Sequence, residues 1–247
     1  MRIEVDGRPA TAETLTHPAL VNYGHFTAMQ VRSGRVRGLL AHLDRLDAAT
    51  RELFGTPLDP VRVRDLIRHA VGDGDASVRV SVHQPESEPV VQVVVRAPAE
   101  APSKPQSLLP VGYERPVPHI KHVGTFGQIH FGLQAEQAGF DEALLVLSDG
   151  RVAEGGITNI GFFRDGRIIW PDAPMLRGVT MRLLDEILRP YRAVVRVDDL
   201  PSFHGAFVTN SLGIAPVSRI GDVKYPPRDD WMTRVHEAYA SVPWDQI

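Results

Sequence analysis

The sequence has no cysteine among its 247 residues. A disulfide framework, a thiol nucleophile and a thiolate metal site are therefore excluded. It also lacks any uninterrupted stretch near the roughly 20 apolar residues that a membrane helix needs. The start, MRIEVDGRPA, shows no long apolar core of a secretory peptide, so a cytoplasmic location is expected. Charge of one sign is scarce as well: 27 basic side chains against 30 acidic ones give a net charge of -3. That balance gives no broad attraction to nucleic acid or to an anionic membrane, so neither partner is expected. The ten histidines form no H-x-x-x-H pair with an adjacent glutamate, which removes the usual zinc-hydrolase helix, and no metal site is expected. The glycine-rich EGGITN lacks G-x-G-x-x-G and a following helix, so it is not a dinucleotide loop.

What is present is an ordinary globular composition, 43% hydrophobic and 23% charged. The length suffices for one large domain or two modest ones. Leu39, Leu43, Leu46 and Leu53 recur at helical spacing and stop at Gly55 and Pro57. PVRVRDLIRHAV reads as a second helix, with Val63, Leu66, Ile67 and Ala70 inward. SVRVSV and VVQVVV read as two strands of a hairpin. Residues 98–118 hold six prolines and little periodicity. That composition suggests a crossing between domains, giving a small domain at 1–100, a linker at 101–118 and a large domain at 119–247. GQIHFGLQAEQAG is a helix stopped by Gly139. Short strands follow at EALLVLS, RVAE, NIGFF, RIIW, AVVRV and GAFVTNS. TMRLLDEILRPY and WMTRVHEAYASV complete the helices. Many short strands with few helices favour two α+β domains over a parallel βαβ sheet.

Lys121 and Glu154 carry the chemical signal. A helix, a hydrophobic strand and the Asp149-Gly150 turn separate them, an order that can bring an amine and a carboxylate into one cavity. An amine can bond covalently to an aldehyde cofactor, and an acid can hold a ring nitrogen protonated.

Four segments together resemble the fold-type IV pyridoxal phosphate enzymes: branched-chain and D-amino acid aminotransferases and aminodeoxychorismate lyase. They are HLDRL at 42–46, IKHVGTF at 120–126, DEALLVLSDGRVAEGGITNIGFF at 141–163 and LRGVTMRLL at 176–184. A weaker fifth is FVTNSLGIAPV at 207–217. The resemblance implies the two-domain α/β architecture of that family, pyridoxal 5'-phosphate as cofactor, and a homodimer. It implies that Lys121 is the cofactor-bonding lysine and Glu154 the partner of the pyridine nitrogen. Arg45 would reach the phosphate, where a guanidinium fork suits three oxygens. His42, one helical turn earlier, would be structural, bonded between its helix and a neighbouring strand. Asn159 joins the cofactor set, and Gly178, Val179 and Thr180 open a helix whose amides would bind the same phosphate. On residue type alone, Thr180 would cap that helix. Ser211 and Leu212 would supply a second phosphate loop.

Several positions depart from the family pattern. Phe126 stands where the aminotransferases have tyrosine. Thr27 falls where many of them carry glutamate, and Phe26-Thr27 matches a Phe-Thr pair of the lyase, so Thr27 joins the catalytic candidates. Arg177 replaces a proline or small residue and, with Phe26 and Phe126, is a candidate for the substrate pocket. The resemblance implies transamination between an amino acid or amine and a keto acid. Aminodeoxychorismate lyase is the alternative, and an inactive interaction protein on the same fold is a third reading.

Overall fold

The computed structural model describes all residues, 1–247. By its internal contacts the chain divides into two units. Unit 1 comprises Met1–Ala99, Ile120–Gly124 and Pro243–Ile247; unit 2 comprises Glu100–His119 and Thr125–Val242.

Unit 1 opens with strands β1 (Arg2–Val5) and β2 (Arg8–Pro9), helix α1 (Ala12–Leu20), and strands β3 (His25–Val31) and β4 (Arg35–Arg37). Helices α2 (Leu39–Phe54) and α3 (Pro60–Val71) follow, then β5 (Ala76–His83) and β6 (Val90–Arg96). The antiparallel sheet has the order β2-β1-β6-β5-β3. Alternate residues Val78, Val80 and Val82 of β5 point into a core shared with Val91, Val93, Leu46 and Ile67. The helix α2 buries Leu39, His42, Leu43, Leu46, Ala49 and Thr50, a stripe at three- and four-residue spacing. It ends where Gly55 takes a left-handed φ of 71° and donates its N–H to Arg51 O. The α3 start is set by Pro60 and by Asp59, whose carboxylate accepts from Val61 N at 2.9 Å.

Unit 2 contains β7 (Gln106–Gly112), α4 (Phe126–Gln137), β8 (Glu142–Val146), β9 (Val152–Gly155), β10 (Asn159–Arg164) and β11 (Arg167–Pro171). Next come α5 (Val179–Leu188), β12 (Tyr191–Ala193), β13 (Gly205–Asn210), β14 (Gly213–Ile220), β15 (Val223–Lys224) and α6 (Asp229–Ala240). Their mixed sheet runs β12-β11-β10-β13-β14-β7-β8-β9, with β15 on β14. The pleat sends neighbours to opposite faces. Phe162 and Val208 enter one core, and Phe163 and Phe207 enter the other with Trp170, Met181 and Met232. Gly161 is fixed by that packing, because a Cβ there would lie 2.5 Å from the Phe207 ring and 2.7 Å from Trp170. A last strand, β16 (Trp244–Gln246), pairs with β4 in unit 1.

The α+β expectation matches this architecture. The linker expectation does not. Residues 101–118 include β7, a central strand hydrogen-bonded to β14 on one side and β8 on the other. Its prolines escape the usual penalty because Pro105 precedes the strand and Pro110 lies beyond Leu108, the last residue paired with β14, where only β8 adjoins the strand. The 119–247 boundary also shifts. Backbone pairing ties Ile120–Gly124 to β3 and the C-terminal strand to β4, so both belong to unit 1. The AVVRV strand is shorter than its composition suggests: β12 ends at Ala193, and Val195 O accepts instead from Val152 N.

Candidate active site

The candidate residues fall into two sets, one in each unit. In unit 1, Lys121 is held by the backbone. Phe26 N donates to Lys121 O at 2.8 Å, and Val123 N donates to Gly24 O at 2.9 Å, so the short segment runs beside β3. Its ammonium nitrogen lies 4.8 Å from the centroid of the Phe26 ring. The guanidinium carbon of Arg79, from β5, lies 3.7 Å from the same centroid. Phe26 therefore carries two cations on one buried aromatic ring. Arg79 has no carboxylate partner. Its Nε donates to Ser81 Oγ at 3.2 Å, and burial followed by the charge of Arg96 lowers its pKa below the usual arginine value. A half-buried cation in that condition is suited to an anion supplied from outside.

Arg45, His42 and Thr27 form the second part of this set. Thr27 is fully buried on β3. Arg45 Nη2 donates to Thr27 Oγ1, and Thr27 Oγ1 lies 2.7 Å from His42 Nδ1. Arg45 Nη2 also lies 3.5 Å from His42 Nδ1, and a guanidinium can only donate, so the arrangement fits a Thr27 hydroxyl that accepts from Arg45 and donates to an unprotonated Nδ1. The expected structural role of His42 between α2 and β3 takes this form. The neighbouring His25 is buried and lies 2.9 Å from Thr50 Oγ1, whose own proton goes to Leu46 O at 2.8 Å. Burial, then His83 and Arg45, lower the His25 pKa to about 4.

In unit 2, Glu154 is buried on β9. Its Oε1 lies 3.3 Å from Arg115 Nη1, and its Oε2 accepts from Leu176 N at 3.3 Å. Arg115 is itself buried, so this is a shielded ion pair. Asn159 clamps the next residues: its Nδ2 donates to Leu176 O at 2.6 Å, and its Oδ1 accepts from Gly178 N at 3.0 Å. Glycine at 178 permits that approach, since a Cβ would stand 2.4 Å from Asn159 Oδ1 and displace the clamp. The helix α5 then starts at Val179 with no side-chain cap on its first amides. Thr180 is the second residue of the helix and not its cap; its hydroxyl donates to Asn210 O at 2.7 Å. The Asn210 side chain accepts from Leu212 N at 2.8 Å, which commits one of the two expected loop donors, and Ser211 sits in the same turn.

The substrate-pocket candidates separate. Phe26 lies against Lys121 in unit 1. Phe126, in unit 2, is 79% exposed at the start of α4 and stacks on His130. Arg177 is exposed and donates to Asp185 Oδ2 at 3.0 Å, an acid that also receives Arg192. Sequence reading missed Arg79, Arg115 and Asn210. The available signal for Arg79 was its place on the non-valine face of an alternating strand.

A family model for amino-transferase class IV matches residues 24–220. The chain belongs to this family. The family match covers every candidate above, from Phe26 to Leu212. Solved structures agree in fold. A hypothetical aminotransferase from Mycobacterium tuberculosis in its PLP-bound form superposes with a TM-score of 0.83 at 21% identity, covering 98% of each chain. A branched-chain aminotransferase from Thermoproteus uzoniensis with norvaline gives 0.81 at 19% identity, over 97% of this chain and 93% of that one. A putative 4-amino-4-deoxychorismate lyase from Legionella pneumophila gives 0.81 at 17% identity, over 91% of this chain and 93% of that one. No curated protein sequence matches the chain.

Proposed function

We propose that this class IV family member is a pyridoxal 5'-phosphate transaminase that moves an amino group from an amino acid or amine to a keto acid. One observation carries the reading. The buried Glu154 carboxylate and the uncapped α5 terminus are tied together through Leu176, Arg177 and Gly178. An acid suited to a pyridinium nitrogen and a helix end suited to a phosphate are thus held in fixed register, which fits the two ends of one cofactor.

The roles follow from the residues. The α5 amides and Arg45 bind the phosphate. Glu154 holds a proton at the ring nitrogen, and Arg115 offsets the cost of burying that carboxylate. When bound, the cofactor withdraws the electron pair left at the substrate Cα. The Lys121 amine would take the substrate Cα proton and hold it for return, which is general acid–base work. Arg79 receives the substrate carboxylate. Thr27 orients Arg45. Its hydroxyl is committed to Arg45 and His42, so the Phe26-Thr27 pair does not support the lyase reading through a hydroxyl aimed at substrate. A homodimer belongs to the same proposal, supported by the exposed apolar stripe Phe126, Ile129 and Leu133 on α4. So does a cytoplasmic location.

The test supplies cofactor-loaded protein with single amino acids and amines. The cofactor absorbance band is followed, and then the amino acid formed from an added keto acid is measured. Turnover of donor and acceptor is expected. Rapid release of 4-aminobenzoate from aminodeoxychorismate with only trace amino transfer would replace the reading with the lyase. Absence of both activities in protein that binds the cofactor would favour the interaction protein.

A further inference from the structure

We propose that Glu142 is a positioning residue for the Glu154 site: its carboxylate builds the Gly155–Thr158 turn that follows Glu154 and places a second negative charge on the neighbouring strand. The inference rests on the reading of Glu154 as the acid for the ring nitrogen.

The geometry is specific. Glu142 Oε1 accepts from Ile157 N at 2.8 Å. The Thr158 hydroxyl lies 3.0 Å from Oε1 and 3.1 Å from Oε2. Gly155, directly after Glu154, leaves room for this arrangement. A Cβ there would stand 2.6 Å from Glu142 Oε1 and 2.2 Å from Thr158 Oγ1. The turn continues into Asn159, which holds Leu176 and Gly178, so one carboxyl supports both ends of the segment that frames Glu154. The charges around it are few. Glu154, paired with Leu145 across β8 and β9, lies on the other face of the strand pair and acts on Glu142 by charge alone, and the register partner of Glu142 on β7 is Leu108. From α4 the buried residues are Gly127, Gln128 and Ala135, while His130 and Glu136 are exposed. Asp141, next in the chain, is turned to the Ser107 amide and hydroxyl. No cation compensates Glu142. Burial, opposed by the Ile157 and Thr158 hydrogen bonds and assisted by Glu154, raises its pKa to about 7. Burial therefore disfavours the ionised form, which appears only as pH rises through about 7.

Glu142→Gln is the informative variant, because its amide can still accept from Ile157 and meet Thr158. The first measurement uses protein without cofactor, with glutamate carbon-13 labelled at Cδ. Wild type is expected to show a carboxyl titrating near pH 7 that is absent from E142Q. Since the folded pKa lies above the unfolded one, wild type should also lose melting temperature relative to E142Q as pH rises from about 5 to 8. Titration of every carboxyl below about pH 5.5 overturns the proposal. The second measurement is α-proton exchange by the loaded protein. At pH 8, E142Q should exchange roughly three- to ten-fold more slowly than wild type, and the two should converge by about pH 5.5. Identical exchange profiles overturn it. Glu154→Gln separates the two claims. Slowed exchange in E154Q with an unaffected E142Q retains the ring-acid reading and refutes the role of Glu142. Unchanged exchange in E154Q refutes both, whatever the carboxyl titration shows.

Discussion

Thr27→Val replaces one hydroxyl by a methyl at nearly constant volume, in a position with no exposure to water. The hydroxyl receives Arg45 and donates to His42, so the variant removes one partner from each. A hydrogen bond to a charged group contributes about 1.5–3 kcal/mol net. The fold should therefore lose about 2 kcal/mol, measured as the denaturant midpoint at constant slope. Arg45 would also lose its fixed orientation. If roughly 1.4 kcal/mol of that loss falls on the bound state, the dissociation constant for pyridoxal phosphate rises about tenfold. The assay is absorbance titration of cofactor-free protein, with the saturated turnover rate measured separately. Thr27→Ser keeps the hydroxyl and should restore binding. The reasoning is refuted if T27V binds the cofactor as wild type does. A saturated rate that collapses at unchanged affinity would instead return Thr27 to the catalytic group.

Two further outcomes follow from the same geometry. Arg79→Met should raise the half-saturating concentration of an amino acid by roughly ten- to a hundred-fold, the loss of a charge-assisted contact, and leave the corresponding amine without a carboxylate little changed; equal effects on both would remove Arg79 from carboxylate binding. The depressed pKa of His25, about 4, gives an acid-sensitive fold. Between roughly pH 6.5 and 4 the unfolded chain binds a proton that the folded one does not, so stability should fall with pH by about 3 kcal/mol across that window. His25→Gln should flatten that slope in denaturation measured from pH 7 to 4, and an unchanged slope would contradict the assignment.

Periodicity revealed the helices because their cores are local. The leucine stripe of α2 and the cap of α3 by Asp59 and Pro60 are written within one or two turns. The central strand β7 was hidden because its prolines resemble a linker, and its place depends on partners at 142–146 and 213–220. The C-terminal strand was hidden for the same reason, since its partner β4 is some two hundred residues earlier. At the site, family-like segments marked Lys121, Glu154, Arg45 and the α5 entry. They did not reveal Arg115, Arg79 or the role of Glu142. Each of these acts through a side chain from another strand or loop, and sequence spacing carries no trace of such a contact. The shift of Thr180 from cap to second helical residue has a similar origin: Asn159, from β10, already holds the amide of Gly178.

The central claim is that Lys121 bonds to the cofactor. The sequence offers two other lysines, Lys104 and Lys224. Borohydride reduction of the cofactor-loaded protein followed by peptide mass mapping distinguishes them. A pyridoxyl mass on the peptide containing Lys121, lost in Lys121→Ala, is the predicted result; label on Lys104 or Lys224, or no covalent label in protein that retains the cofactor, would contradict the account.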